Sequence, residues 1–166
     1  MKRIIVIGCP GSGKSTFSRT LHEITGIPLY HLDMMFWNAD RTTVEKSVFL
    51  ERLSEVLQKD SWIIDGNYGS TMEKRLERCD TVFYLDYPTE VCLDGIAERK
   101  GKARSDMPWI ETDVDEEFIA FIKNYNNDSR PKVMELLEKH HEKSIIIFKS
   151  REEADLFLEK MKQSFK

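Results

Sequence analysis

A glycine-rich segment near the amino terminus constrains the fold more than any other part of this chain. Residues 8–15 read Gly-Cys-Pro-Gly-Ser-Gly-Lys-Ser and match the full phosphate-binding pattern G-x-x-x-x-G-K-[S/T]. Such a loop joins a buried strand to a helix, whose amino terminus and turned backbone amides hold phosphates. The run 2–7 is typical of a buried parallel strand, and Phe17, Leu21 and Ile24 mark one face of a helix. Together these features predict the binding of a nucleoside triphosphate.

The fixed positions of this phosphate loop (residues 8–15) each have a physical role. Gly8 and Gly13 lie where the backbone must turn and a Cβ would clash. The Lys14 ammonium can reach the β- and γ-phosphates, and the Ser15 hydroxyl can ligate Mg²⁺. The residues expected to bind the nucleotide are Gly8, Pro10, Gly11, Ser12, Gly13, Lys14, Ser15 and Thr16.

The composition predicts one globular domain and excludes several functional classes. The chain has 166 residues, of which 40% are hydrophobic and 33% charged, so residues 1–166 are expected to form a single domain. No apolar run approaches the length of a membrane span, and the widely separated Cys9, Cys79 and Cys92 suit a reducing cytoplasm. A net charge of −4 without a basic block argues against direct DNA binding. The oligomeric state stays open.

Strand-like and helix-like patterns alternate along the chain, which predicts an α/β fold with a parallel sheet covered by helices. Residues 33–44 are expected to be irregular, and a short charged lid is expected at about 99–114. Pro131 must kink or restart a helix that begins near Phe118. The predicted strands cover residues 2–7, 29–32, 62–64, 81–85 and 144–148. The other predicted helices follow the phosphate loop, cover 49–57, 71–78 and 89–99, and start at a capping box of Ser150 and Glu153.

Aspartates follow three of the predicted strands, and ligands of such sheets bind beyond the carboxyl ends of the strands. Asp65 is placed to be a second carboxylate at a Mg²⁺ site, and its alternative role is that of a turn residue. Asp33 is placed to accept the proton of an attacking hydroxyl or to orient the substrate, with a turn again as the alternative. Asp86 either joins the phosphate site or caps the next helix.

The segment around Asp33 also contains two side chains with less specific signals. Trp37 is predicted to stack on a ring of the substrate, and a position in the core is the alternative interpretation. His31 is expected to be a packed strand residue rather than a catalyst.

Basic residues supply candidates for stabilising charge during phosphoryl transfer. Arg99, Lys102 and Arg104 lie in the predicted lid, which would close over the phosphates and exclude water. The alternative is a solvated helix end, where cations are favourable. Arg130 is a second candidate, while Arg41 and Arg75 are weaker candidates for contacts to the acceptor. The expected catalytic residues are Lys14, Asp33, Arg99, Arg104 and Arg130, and the expected metal ligands are Ser15 and Asp65.

With these positions in place, the chain resembles the adenylate-kinase-like P-loop kinases over nearly its whole length. More narrowly, it resembles the bacterial DNA topology modulation protein family. The narrower likeness is carried by Leu32-Asp33 with Phe36-Trp37, by Asp65-Gly66-Asn67-Tyr68, and by the lid segment 99–108. The resemblance implies a three-layer P-loop NTPase fold, with a five-stranded parallel sheet in the order 2-3-1-4-5 and helices on both faces. It also implies ATP and Mg²⁺ as cofactors, and kinase chemistry.

Two departures from the adenylate kinases leave the phosphoryl acceptor open. Those kinases carry Asp-Gly-Phe-Pro-Arg where this chain has Asp65-Gly66-Asn67-Tyr68-Gly69. Their Thr-Gly-Asp segment and its phosphate-gripping arginine are also missing after the second predicted strand. The main hypothesis is therefore transfer of the ATP γ-phosphoryl group to a nucleotide, a nucleoside or another small hydroxyl compound. The alternative is an ATP-binding regulatory protein that influences DNA topology without kinase turnover.

Overall fold

The centre of the molecule is one parallel sheet of five strands, found in residues 1–102, 107–108 and 116–165, which this computed structural model describes. The spatial order of the strands is β2-β3-β1-β4-β5, and all neighbours pair in parallel. This order confirms the predicted fold class. The strands are β1 Arg3–Gly8, β2 Leu29–His31, β3 Trp62–Asp65, β4 Thr81–Leu85 and β5 Ser144–Phe148.

Helices connect the strands and cover both faces of the sheet. The helix that begins near Phe118 ends at Asp128, and the next one starts with Pro131 in its first turn, so the predicted interruption is confirmed. No helix in the described ranges is long and apolar enough to span a bilayer. The helices are α1 Lys14–Thr25, α2 Leu32–Phe36, α3 Lys46–Leu57, α4 Gly69–Arg78, α5 Thr89–Arg99, α6 Glu116–Asp128, α7 Arg130–Lys139 and α8 Arg151–Ser164.

The short helix α2 corrects the prediction that the chain is irregular from residue 33. Leu32 and Phe36 are four residues apart, so one turn of helix places both on the same face. Leu32 is fully buried, and the Phe36 ring packs 5.3 Å from the Phe49 ring of α3. This apolar contact stabilises the short helix. The prediction of an irregular segment followed from the polar residues after it, which do not take part in this contact.

The central strand β1 divides the core into two halves. Ile4 and Val6 point into one apolar cluster, and Ile5 and Ile7 point into the other on the opposite face. All four side chains are completely buried, as expected for a strand covered on both sides. Because β1 lies in the middle of the sheet, the phosphate loop that follows it emerges at the centre of the carboxyl edge.

The backbone of the phosphate loop lies directly against helix α5. A Cβ added to Gly11 would lie 2.0 Å from the Cys92 carbonyl oxygen, and one added to Gly95 would lie 2.0 Å from the Gly11 carbonyl oxygen. Both positions therefore require glycine for this close approach. Gly95 lies in the interior of α5, where glycine stabilises a helix less than alanine does. The close contact with the phosphate loop explains why glycine is nevertheless required there.

We expect Gly95→Ala to lower the free energy of unfolding by about 1–3 kcal/mol, although alanine is the better helix former. Gly69→Ala is the matched control, because a Cβ at that helical glycine meets nothing within 4 Å. Urea denaturation of both variants measures the difference. A Gly95→Ala protein as stable as the wild type would contradict the direct packing of the loop on α5.

Candidate active site

A cleft of about 760 Å³ opens at the carboxyl edge of the sheet, within the size range of small-molecule sites. Its floor is the phosphate loop and the start of α1. One wall is formed by Asp33 and the segment 65–68 after β3, and the other by residues of α5 and α6. The cleft therefore brings together the ends of β1, β2 and β3, as the parallel topology predicts.

The phosphate loop has the backbone shape of an anion-binding nest. Gly11 and Gly13 have φ values of +85° and +95°, a left-handed conformation that side chains disfavour. Gly13 leads directly into α1, so the free amides of the helix amino terminus lie at the cleft floor. The residues of the predicted nucleotide-binding set that line the cleft are Pro10, Gly11, Gly13, Lys14, Ser15 and Thr16.

Gly8 and Ser12 differ from the rest of the predicted nucleotide-binding set, because both are buried and neither is among the residues that line the cleft. The Gly8 amide donates to the Asn67 side-chain oxygen at 3.2 Å, and the Ser12 amide donates to the Cys9 carbonyl at 3.0 Å. These bonds show that both residues help to shape the loop, and their contact with a nucleotide stays a prediction.

Lys14 stands between the loop and the carboxylates of the opposite wall. Its ammonium nitrogen is 3.5 Å from the Cys9 carbonyl oxygen. Burial lowers the Lys14 pKa below its ordinary value, while the nearby charges of Asp65 and Asp33 oppose that shift. A phosphate placed on the loop would further stabilise the charged ammonium.

Arg151, which the sequence did not single out, supports the phosphate loop through two hydrogen bonds. The guanidinium of Arg151 donates to the carbonyl oxygens of Ser12 at 2.9 Å and Gly11 at 3.0 Å. It also lies over the Tyr87 ring, 5.7 Å from the centroid, and it lines the cleft. Arg151 is the first residue of α8, and its placement just after β5 at the carboxyl edge was the signal that could have identified it.

A second unpredicted arginine contacts the hydroxyl groups at the start of α1. Arg19 donates to the Ser15 hydroxyl at 3.0 Å and to the Thr16 hydroxyl at 3.3 Å. The spacing of four and three residues along one helix was sufficient to predict this contact. Arg19 therefore adds positive charge beside the predicted Mg²⁺ ligand.

Asp65 lines the cleft and pairs with the histidine of the neighbouring strand. Its Oδ2 atom lies 2.6 Å from His31 Nδ1, and both side chains are nearly buried. The parallel register places His31 opposite Asp65, which explains why the two side chains meet. The interpretation of His31 as only a packed strand residue was therefore incomplete, because it orients the Asp65 carboxylate.

The oxygen donors at this point fit a magnesium ion. The Ser15 hydroxyl and the Asp65 carboxylate are hard oxygen ligands, and Mg²⁺ is commonly held by one or two of these together with substrate phosphates and waters. In the part of the chain that the structure describes, no group of three or more acidic, histidine or cysteine side chains forms a complete protein cage for a metal. The donor set thus suits a metal that arrives with phosphates.

Asp33 is bonded to a tyrosine that the sequence analysis did not single out as a functional residue. The Tyr68 hydroxyl donates a short hydrogen bond to Asp33 Oδ1, and both residues line the cleft. Trp37 packs edge to face on Phe36, with ring centroids 5.4 Å apart. The predicted stacking of Trp37 on a ring of the substrate stays a prediction.

Arg75 supports the segment that carries these residues. It is fully buried and donates to the carbonyl oxygens of Gly66 at 3.0 Å, of Asn67, and of Tyr68 at 3.2 Å. The Asn67 amide then bonds both backbone groups of Gly8, donating to its carbonyl at 2.6 Å. The prediction that Arg75 contacts the acceptor is wrong, because none of its side chain is accessible.

The predicted lid lies only in part among the described residues. Arg99 and Lys102 line the cleft, and the Arg99 guanidinium carbon lies 5.9 Å from the centre of the Phe118 ring. Arg104 and the rest of the lid at 103–106 and 109–114 lie outside the described residues. Arg41 is exposed between α2 and α3, so its contact to an acceptor stays a prediction.

Arg130 and Asp86 form an ion pair with each other instead of serving the cleft. Arg130 Nε lies 3.0 Å from Asp86 Oδ1, and Arg130 Nη2 lies 3.0 Å from Oδ2. Lys149 also donates to Oδ2, at 2.6 Å. Burial raises the Asp86 pKa, but the bonds from Arg130 and Lys149 outweigh it and hold that pKa below its usual value. This ion pair gives Arg130 a structural role, and its predicted catalytic role stays a prediction.

Comparison with known proteins places the fold among the P-loop kinases. No family model matches the chain. It is 29% identical to the adenylate kinase of Thermotoga maritima over 109 residues, covering 61% of this chain and 49% of that protein. It is 30% identical to the adenylate kinase of Thermosipho africanus over 128 residues, covering 73% and 58%. The chain thus spans about half the length of these curated relatives.

A solved structure matches nearly the whole chain. The shikimate kinase from Acinetobacter baumannii in complex with shikimate superposes with a TM-score of 0.64 and 18% identity, covering 99% of this chain and 92% of that one. Sheet order, phosphate loop and these likenesses together define a P-loop kinase-like fold. The narrower likeness to the DNA topology modulation family stays a prediction.

We expect Arg151→Met to weaken nucleotide binding about tenfold, because the two carbonyls that shape the loop lose a charged donor. Titration with a fluorescent ATP analogue in the presence of Mg²⁺ measures the dissociation constant. Lys160→Met, an exposed change on the same helix, is the control. Equal affinities of Arg151→Met and wild type would show that the loop keeps its shape without this contact.

Proposed function

We propose that this chain is an ATP-dependent phosphotransferase that moves the γ-phosphoryl group of ATP to a hydroxyl of a small molecule. The observation that carries this proposal is the shared cleft of Lys14 and Asp33. Lys14 belongs to the phosphate loop, and Asp33 lies on the opposite wall with its charge close enough to affect the Lys14 pKa. One cleft thus contains a lysine that can hold the phosphates of ATP and a carboxylate that can act on the acceptor hydroxyl.

On the donor side, the loop amides and Lys14 hold the phosphates of ATP. Ser15 and Asp65 are the proposed ligands of Mg²⁺, which when bound neutralises charge on the β- and γ-phosphates. Arg99 and Lys102 line the same cleft and add positive charge where charge develops during transfer. Arg104 belongs to the proposed lid at about 99–114 and is a further candidate for this role.

On the acceptor side, the Asp33 carboxylate orients the attacking hydroxyl and accepts its proton. The relatives are named adenylate kinases and the structural neighbour is a shikimate kinase, so both support a kinase while their acceptors differ. We propose a single P-loop kinase domain over residues 1–166, acting in the cytoplasm on ATP and a small acceptor. The acceptor-side carboxylate favours this enzyme over a regulatory protein without turnover.

A screen for acceptors tests the proposal. ATP consumption with Mg²⁺ is measured against a panel of nucleotides, nucleosides and hydroxylated metabolites. Strong stimulation by one class of compound, lost in Lys14→Ala while that variant keeps its far-UV spectrum and melting temperature, would support the enzyme. Tight ATP binding without stimulation by any compound would contradict it and favour the regulatory alternative.

Asp33→Asn is expected to lower acceptor-stimulated turnover by roughly 10²–10⁴, because asparagine cannot accept the proton. The affinity for ATP should stay within twofold, since Asp33 lies on the acceptor wall. Asp60→Asn, at an exposed position, is the matched control. Steady-state kinetics and nucleotide titration check both parts, and lost ATP affinity with normal acceptor kinetics would place Asp33 on the donor side.

A further inference from the structure

Tyr68 has a backbone conformation that a bulky side chain rarely adopts. Its φ of 31° and ψ of 72° lie in the left-handed region, immediately before the first residue of α4. Such a conformation costs about 1–3 kcal/mol and persists only where the surroundings hold it. Here the buried Arg75 bonds the Tyr68 carbonyl, and the ring packs 5.1 Å from Phe36 and 5.4 Å from Phe49.

The consequence of this conformation is the position of the phenol group. The Tyr68 hydroxyl donates to Asp33 Oδ1, so the ring that packs on Phe36 and Phe49 is connected through its phenol group to the carboxylate. Burial and the Asp33 charge raise the Tyr68 pKa above its ordinary value. The phenol therefore keeps its proton at neutral and mildly alkaline pH and acts as a donor throughout that range.

The same segment also contacts the donor half of the site. Asn67, the residue before Tyr68, bonds the amide and carbonyl of Gly8 at the entrance to the phosphate loop. Consecutive side chains of one segment thus bond the phosphate loop and the Asp33 carboxylate. The two halves of the site are connected through these neighbouring residues.

We propose that Tyr68 is a positioning residue that fixes the Asp33 carboxylate for the acceptor hydroxyl, an inference that rests on the proposed phosphotransferase function. In the reaction, the acceptor oxygen forms a bond to the γ-phosphorus, and the bond from that phosphorus to the bridging oxygen of ADP breaks. The acceptor proton passes to Asp33. Tyr68 keeps its own proton and acts only by holding the carboxylate in place.

Tyr68→Phe removes the hydroxyl and keeps the packed ring. We expect kcat to fall about tenfold to a hundredfold, as for loss of a hydrogen bond to a charged group. The KM for ATP should stay within twofold. The assay uses the panel compound that most stimulates the wild-type protein. Tyr30→Phe is the matched control, because the Tyr30 hydroxyl accepts a hydrogen bond from Lys59 at 3.1 Å and lies outside the cleft.

A double-mutant comparison separates positioning from simple structural support. In the Asp33→Asn background, adding Tyr68→Phe should lower kcat by less than twofold, since Tyr68 acts through Asp33.

The outcomes distinguish this inference from the function on which it rests. If no compound stimulates the wild-type protein, the proposed function fails and the inference fails with it. If the wild type is stimulated but Tyr68→Phe keeps its kcat, or loses ATP affinity in parallel with kcat, the inference alone is overturned. A loss of kcat on Tyr68→Phe that is equally large in the Asp33→Asn background would also overturn it.

Discussion

The contact on which the site depends is the buried Arg75 guanidinium bonded to three consecutive carbonyls after β3. Burial lowers the Arg75 pKa to about 10, so its charge persists at neutral pH inside the protein. The carbonyls of Gly66, Asn67 and Tyr68 replace the water that this cation has lost. Arg75 thus bonds the backbone of this segment from its buried side. The Asn67 side chain reaches the phosphate loop, and the Tyr68 side chain reaches Asp33.

The topology of the sheet explains why this local contact affects the whole candidate site. Parallel strands place their carboxyl ends at one edge, so the loop after β1, Asp65 of β3 and Asp33 after β2 meet there. The segment after β3 lies between the other two and bonds to each, through Asn67 on one side and Tyr68 on the other. Hydrogen bonds therefore hold both the wall that carries Asp33 and the entrance to the phosphate loop, and the proposed phosphotransfer would benefit from such preorganisation.

Local sequence patterns predicted the strands and helices whose ends they mark. The bounds of β4 and β5 and of helix α5 were obtained as the structure has them, because turn and apolar signals mark both ends. Contacts between distant residues were not predictable in this way. Arg151 bonds the loop from 140 residues away, and Arg130 pairs with Asp86 across 44 residues. These two arginines carry no local signal of their distant partners, so the contacts appear only when the sheet brings the elements together.

The central claim, that one segment links a nucleotide-binding loop to an acceptor carboxylate, is tested most directly by a crystal structure of the chain with MgADP. The account predicts the β-phosphate on the amides of the phosphate loop beside Lys14, with Ser15 and Asp65 at the metal. It also predicts that the Asn67–Gly8 and Tyr68–Asp33 bonds remain, with Asp33 facing the open end of the phosphates. A nucleotide bound elsewhere, or a complex in which the segment has released either partner, would contradict the account.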